Sequence, residues 1–253
     1  KKLPELIASI KAIDGIEEVL MTTNGTLLTQ YAKPLFEAGL TRLNISLDTL
    51  KADRFQKLTR RDRLQAVLDG ISEAKKYAFA GIKLNAVVMK GLNDDEIIEL
   101  TDFAVANEID ITFIEEMPLG EVGYDRSVTF LSSAEIKTAI EQKYELVDSS
   151  HKTGGPAVYA GIKNQKTRIG FISPHSNNFC SSCNRVRITA VGRLLLCLGN
   201  ENSQDLRTFM RDGCDDQQLL DQLISALRLK PEKHDFNLAE EVKILRFMSH
   251  TGG

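Results

Sequence analysis

The sequence predicts an α/β fold of repeated βα units with parallel strands, followed by a smaller α+β region that carries a cysteine cluster. Three observations predict it. Short apolar runs alternate with longer amphipathic stretches as far as about residue 120. Gly39 and Gly81 follow two of those stretches, where helix C-caps are expected. Beyond residue 120 the period is lost, and a Gly-Gly-Pro punctuation at Gly154 to Pro156 introduces runs with β alternation.

The opening residues, KKLPELIASIKAIDG, carry no initiator Met and read as the middle of a helix with Leu3, Leu6, Ile7 and Ile10 on one face, so the chain is expected to be a fragment. The strand candidates that follow are Glu18–Thr22, Arg42–Ser46, Lys83–Met89 and Ile111–Glu115. Between them lie the candidate helices Thr29–Ala38, Arg63–Phe79 and Asp94–Asn107. The first strand would be an apolar sheet edge, which proteins normally cover or pair, and this too points to strands preceding the chain. After residue 120 the expected elements are a helix at Ser133–Lys143, antiparallel strands at Ala157–Lys163 and Thr167–Ser173, and helices at Asp205–Arg211 and Asp216–Leu229. A domain boundary is placed near residue 145, dividing 1–145 from 146–253.

The 253 residues are 26% charged and 42% hydrophobic, the make-up of an ordinary globular protein. Lys and Arg total 32 against 35 Asp and Glu, a balance of −3 that gives no general attraction to nucleic acid or anionic membranes. Any anion site must be local. The apolar runs, including that around Leu194 to Leu196, fall far short of the roughly 18 residues that span a bilayer, and no signal-peptide pattern is present, so a cytoplasmic location is expected.

In parallel α/β folds ligands lie at the C-terminal ends of the strands. Those ends are polar here: Thr22, Thr23, Asn24 and Gly25; Ser46 and Asp48; Lys90, Gly91 and Asn93; Glu115, Glu116 and Met117. Polar loops are also what any such fold would have, so position alone does not make a site.

Chemistry concentrates in Phe179–Leu198, FCSSCNRVRITAVGRLLLCL. Cys180 and Cys183 form a C-x2-C knuckle, and Cys197 returns after a hairpin expected to turn at Val191-Gly192. Three of the four cysteines within 18 residues is the clustering of metal ligands rather than of a disulfide framework. Zinc would need a fourth ligand, for which Cys214 and His175 are candidates. A four-iron cluster on three cysteines would leave one iron open to a small ligand. The spacing leaves both open. Arg185 and Arg187, two apart on one strand, place two guanidinium forks on one face with Val186 between them, an arrangement suited to phosphate or a polar base edge.

CSSCNRVRITAVGRLLLCL, together with TTNGTLL, NISLD, IKLNAVVMKGLND, FIEEMPLG and the closing TGG, resembles the GTP 3′,8-cyclases of molybdenum cofactor biosynthesis, over essentially the whole chain. The resemblance implies an incomplete TIM-type (β/α) barrel of the radical S-adenosylmethionine kind with two [4Fe-4S] clusters. The first cluster cleaves S-adenosylmethionine, the resulting radical abstracts hydrogen from the ribose of GTP, and C3′ joins C8 of guanine to give (8S)-3′,8-cyclo-7,8-dihydroguanosine 5′-triphosphate. The second cluster holds the purine. Matched residue by residue, Cys180, Cys183 and Cys197 would hold the second cluster; Thr22, Lys83, Arg185, Val186 and Arg187 would contact GTP; Ser46 and Met117 would contact S-adenosylmethionine; and the Gly252-Gly253 tail would reach the active site. The resemblance also implies a cyclic pyranopterin monophosphate synthase acting downstream, with a homodimer open as an assembly.

Two departures stand out. The family's C-x3-C-x2-C motif is not in this sequence, so as it stands the chain is expected not to generate the radical. Thr112 occupies a place where relatives usually carry Arg. The competing readings are another radical enzyme with an auxiliary cluster and a zinc-stabilised binding module without catalysis.

Overall fold

The computed structural model describes residues 2–234, 236, 244 and 245. The Gly252-Gly253 tail lies outside them. In chain order the helices and strands are α1 (Leu3–Lys11), β1 (Leu20–Thr23), α2 (Leu28–Glu37), β2 (Arg42–Ser46), α3 (Ala52–Thr59), α4 (Leu64–Ala74), β3 (Gly81–Val88), α5 (Ile97–Ala106) and β4 (Asp110–Glu115). They continue with α6 (Arg126–Thr129), α7 (Ser133–Glu141), β5 (Leu146–Asp148), β6 (Val158–Ile162), β7 (Arg168–Ile172), β8 (Arg187–Ile188), β9 (Arg193–Leu195), β10 (Ser203–Asp205), α8 (Leu206–Arg211) and α9 (Asp216–Leu227).

Two compact units result, one of residues 1–115 and 130–173, the other of 116–129 and 174–253. The first holds a seven-stranded open sheet in the order β1-β2-β3-β4-β7-β6-β5. Its first five strands run parallel, and β6 and β5 close the far edge antiparallel. Residue 145, the expected boundary, falls inside this unit, because β7 pairs with β4 and carries the hairpin of β6 and β7 into the same sheet.

One face of the sheet is apolar. Leu43, Ile45, Leu84, Ala86, Ile111, Phe113 and Ile169 are all 0% exposed, and they form one core with Leu28, Leu35, Val67, Ile71 and Leu100 of the helices. Burial of this kind supplies most of the unit's stability, at about 25 cal/mol per Å² of apolar surface. β1 lies at the sheet edge, with its own Leu20 exposed and Ile13 and Ile16 exposed in the segment before it.

Several expectations shift in detail. The first helix is present, yet Ile7 is its buried residue while Leu3 and Leu6 are exposed. Gly39 does close α2, at φ +90°, with its N–H on Phe36 and the next N–H on Leu35. Gly81 does not cap a helix: α4 stops at Ala74, and Gly81 opens β3 opposite Arg42. Helix α3 was not foreseen.

The second unit contains a three-stranded antiparallel sheet, β10-β9-β8. Its hairpin turns at Gly192, at φ +79°, where an added Cβ would stand 2.6 Å from Cβ of Arg207. Only glycine fits there without strain. Asp205 caps α8, and a reciprocal pair of Asp215 and Gln218 caps α9.

Candidate functional site

Register places the first unit's candidates on the face opposite the apolar core. Thr22 pairs with Asn44, Asn44 with Lys83 and Lys83 with Asp110, so these four polar side chains form one rank across the sheet. Asn44 Nδ2 reaches Thr22 Oγ1 at 3.5 Å, and Lys83 Nζ donates to the Tyr159 hydroxyl at 3.2 Å. One step further along, Ser46, Asn85, Thr112, Gly170 and Tyr159 form a second rank on the same face. Sequence reasoning singled out Thr22, Lys83 and Ser46, and the fold brings them together on one polar surface.

The loops leaving β2 and β3 are tied to each other. Asn93 donates through Nδ2 to the carbonyls of Asp48 at 2.8 Å and Val87 at 2.9 Å, and its Oδ1 accepts from the Met89 N–H at 2.7 Å. Asp48 Oδ1 in turn accepts from the Val87 N–H at 2.8 Å, and burial pushes its carboxyl up to about 6 against that bond. The Asn and Asp of the NISLD and KGLND segments therefore fix the strand ends that carry Ser46.

In the second unit the three cysteines are neighbours. Burial pushes the Cys197 thiol up, against the pull of the Gly199 N–H and of Lys230, and the charges of Cys180 and Cys183 push it further up. Burial would push Cys183 up as well. The N–H and guanidinium of Arg185, with Lys230, outweigh it and hold this thiol below its ordinary range. Arg185 Nη2 lies 3.4 Å and Lys230 Nζ 3.9 Å from Cys183 Sγ, while the His234 N–H donates to Cys180 Sγ at 3.4 Å. Lys230 also donates to the carbonyls of Arg185 at 2.9 Å and Leu196 at 2.7 Å, so one ammonium joins the knuckle to the strand that delivers Cys197.

Cys180 and Cys183 open on a cleft of about 650 Å³ whose other wall is Lys230, Pro231, Glu232 and Lys233. Arg185 stacks over Phe179, 5.0 Å from the ring centroid. The expected alternation holds: Arg185 and Arg187 are half-buried, whereas Val186 and Ile188 are 40% and 66% exposed on the other side.

The donor set bears on which metal group suits it. His175 uses Nε2 on the Glu116 carbonyl at 3.1 Å. His234 accepts from the Phe236 N–H on Nδ1 and reaches the Pro174 carbonyl from Nε2, which occupies both ring nitrogens. Among the described residues no three of His, Cys, Asp and Glu are arranged to hold a single metal ion. Three thiols with N–H and cationic donors aimed at their sulfurs, bordering an open cleft, fit a cluster larger than one ion.

Met117 lies in the second unit, just beyond β4, half-buried. A buried network holds its flank. Glu116 receives Arg126 Nε at 3.2 Å, the Tyr124 hydroxyl at 2.7 Å and the Thr129 hydroxyl at 2.7 Å, and Arg126 Nη2 donates to the carbonyls of Leu119 and Gly120. Sequence reasoning missed Tyr159, Lys230, His234 and Arg126. Tyr159, Lys230 and His234 meet their partners across 34 or more residues of chain, so spacing held no signal for them; Arg126 lies ten residues from Glu116, in a loop with no periodicity to connect the two.

The Radical SAM superfamily model matches residues 1–104, and the Molybdenum Cofactor Synthesis C model matches residues 109–236. The chain is 52% identical over 250 residues to GTP 3′,8-cyclase 1 of Pseudomonas aeruginosa, covering 98% of this chain and 76% of that protein. It is 49% identical over 255 residues to GTP 3′,8-cyclase 2 of the same organism, covering 100% of this chain and 77% of that protein. The GTP 3′,8-cyclase of Ectopseudomonas mendocina is 51% identical over 255 residues, with 100% and 77% covered. Among solved structures, Streptococcus suis SuiB bound to S-adenosylmethionine aligns at a TM-score of 0.49 with 15% identity, over 78% of this chain and 48% of that one. Extended identity of this order across both matched segments, with the cysteine knuckle and polar sheet face in place, means that the chain belongs to the GTP 3′,8-cyclase family of radical SAM proteins.

Proposed function

We propose that this chain serves the cyclisation of GTP to (8S)-3′,8-cyclo-7,8-dihydroguanosine 5′-triphosphate in molybdenum cofactor biosynthesis. The observation that carries the proposal is the meeting of three thiols with a guanidinium: Cys180, Cys183 and Cys197 side by side, with Arg185 at 3.4 Å from Cys183 Sγ. Those cysteines would hold a [4Fe-4S] cluster, which when bound supplies an iron with an open position for a purine donor atom.

The chain's own residues bind and orient. Arg185 and Arg187 present donors to the base edge from one side of the segment that leads into β8, and Val186 contributes backbone between them. Thr22 and Lys83 offer a hydroxyl and an ammonium on the polar face of the sheet, where anionic oxygens of a nucleotide would be held. Ser46 and Met117 are proposed as contacts to S-adenosylmethionine itself. The four cysteines of this sequence include no C-x3-C-x2-C run, so they offer no ligand set for the cluster that cleaves it. A downstream synthase would consume the product.

Anaerobic reconstitution with iron and sulfide, followed by metal analysis and calorimetric titration with GTP, tests the proposal. It expects iron and acid-labile sulfide near four each per chain for this cluster, lost on replacing Cys180, Cys183 or Cys197 by Ala. It also expects Arg185→Ala to weaken GTP binding by about tenfold or more, the worth of a charge-assisted fork. Stoichiometric zinc with indifference to GTP would instead favour the non-catalytic binding module.

A further inference from the structure

Three buried side-chain polar atoms lack a hydrogen-bond partner among the described residues: Asn85 Oδ1, Thr112 Oγ1 and His151 Nε2. Such atoms are costly and uncommon, and these three lie in one patch. Asn85 pairs with Thr112, Thr112 with Gly170 and Gly170 with Tyr159, all on the polar face of the sheet. The Tyr159 ring stands edge-on to His151, with 4.8 Å between centroids.

The tautomer of His151 follows from its neighbour. Arg168 Nη1 lies 2.9 Å from Nδ1, and a guanidinium can only donate, so Nδ1 accepts and the ring proton sits on Nε2. Arg168 is itself neutralised by Asp110, which receives Nη2 at 2.9 Å and Nε at 3.2 Å. Burial, then the Arg168 charge, keeps the ring neutral by pushing its pKa down. His151 thus presents one buried N–H donor without an acceptor.

Lys83 adds the charge. Its ammonium donates to the Tyr159 oxygen at 3.2 Å, and among the described residues no carboxylate pairs with it. With that oxygen accepting, the phenolic hydrogen is free to point onward. The patch therefore offers N–H and O–H donors from His151, Tyr159 and Thr112 around one uncompensated cation, which is what anionic oxygens need. Asn85 Oδ1 can only accept, so the ligand must also bring a hydroxyl or N–H, as a nucleoside phosphate does.

We infer that His151 donates through Nε2 to a phosphate oxygen of the nucleotide held on Lys83, with Tyr159 as the positioning residue that fixes the lysine. The inference rests on the proposal that this chain binds GTP. Calorimetric titration of the anaerobically reconstituted full chain with GTP, GDP, GMP and guanosine tests it. His151→Phe, of similar size but without the N–H, should weaken GTP binding by about tenfold and leave guanosine binding unchanged, while His151→Gln, which keeps an N–H, should recover part of the loss.

Tyr159→Phe should weaken the same phosphate-bearing ligands. Equal loss for GTP and guanosine in His151→Phe, or no loss for GTP while Lys83→Ala still weakens it, would overturn the role of His151 and leave GTP binding standing. Failure of the unmodified chain to bind GTP would remove the proposal underneath. Should His151→Phe not fold, the unmodified chain labelled with ¹⁵N-histidine answers directly. GTP should shift the His151 Nε2–H resonance and slow its exchange with water, and an unchanged resonance at saturating GTP overturns the inference.

Discussion

Asp48→Asn separates the chemistry of the loop after β2 from its geometry. Asp48 Oδ1 accepts the Val87 N–H at 2.8 Å, and burial raises the carboxyl from 3.8 to about 6. The sign follows from proton counts. Between those two values the unfolded chain has released the proton that the folded chain still holds, so stability falls as pH rises through the window from about 4 to about 6. A shift of this size is worth about 2 to 3 kcal/mol, the lower figure allowing for the partial exposure of the residue. Asn keeps the oxygen that Val87 needs and cannot ionise. Its extra N–H₂ adds a cost, but the same cost at every pH.

The informative quantity is therefore the stability of wild type minus that of Asp48→Asn, followed from pH 4 to pH 8. It should drop by about 2 to 3 kcal/mol across that range and stay level above pH 7. The chain has no Trp and divides into two compact units, so a global optical probe is a poor reporter of the first unit. Native-state amide exchange at Leu84, Ala86 and Ile111, corrected for intrinsic rates, reads the first unit by itself. Other groups that titrate in the window cancel in the difference. A difference constant to within about 0.5 kcal/mol, or one that rises with pH, would refute the reasoning.

Three further predictions concern the scaffold. Arg54→Ala leaves Glu96, 0% exposed, with the Thr49 hydroxyl at 2.6 Å and the Leu50 N–H at 2.7 Å but without its guanidinium; the first unit should lose about 2 to 4 kcal/mol in the same exchange experiment. Gly192→Ala meets both a positive φ of +79° and an approach of 2.6 Å to Arg207 Cβ, so the hairpin delivering Cys197 should be destabilised by about 1 to 3 kcal/mol, read as lower iron retention after reconstitution with little change in exchange of the first unit. Lys230→Met removes the ammonium that joins the Cys183 knuckle to the Leu196 carbonyl while keeping the aliphatic stem, and iron should be released to chelator faster than from wild type, with Lys230→Arg in between.

What could be read from the sequence was whatever depends on near neighbours along the chain. The strand Arg42–Ser46 is placed residue for residue, because an apolar alternation bounded by Gly39 and a polar exit leaves no other register. Helix α3 was missed because it is only eight residues long: Phe55 and Leu58 stand three apart on its inner face, but two apolar residues within one turn are too short a repeat to establish a period. β5 was missed for a related reason: three residues at a sheet edge, two of them exposed, carry no alternation. The boundary near residue 145 marked a real change of pattern, from parallel βα units to an antiparallel hairpin. A change of pattern is not a change of unit when β7 inserts beside β4.

The same division runs through the site. Cys180, Cys183, Cys197 and the two arginines lie within 18 residues on either side of one hairpin turn, so residue chemistry and spacing were enough to bring them together. Thr22, Ser46 and Lys83 were found through resemblance; it is the register of β1, β2 and β3 that explains why they share a surface, since partners across parallel strands face the same way. Tyr159 and His151 were beyond both routes. Their place is set by a pairing of β7 with β4 across more than 50 residues and by an Asp110–Arg168 contact that turns the imidazole. Thr112 belongs to this patch as well. With a short hydroxyl there, the ring of Tyr159 can sit against the sheet, and Lys83 of the neighbouring rank is the cation that reaches its hydroxyl. A change in phosphate affinity on placing Arg at this position, Thr112→Arg, should therefore be accompanied by displacement of Tyr159, and the two effects should vanish together in Thr112→Arg combined with Tyr159→Ala.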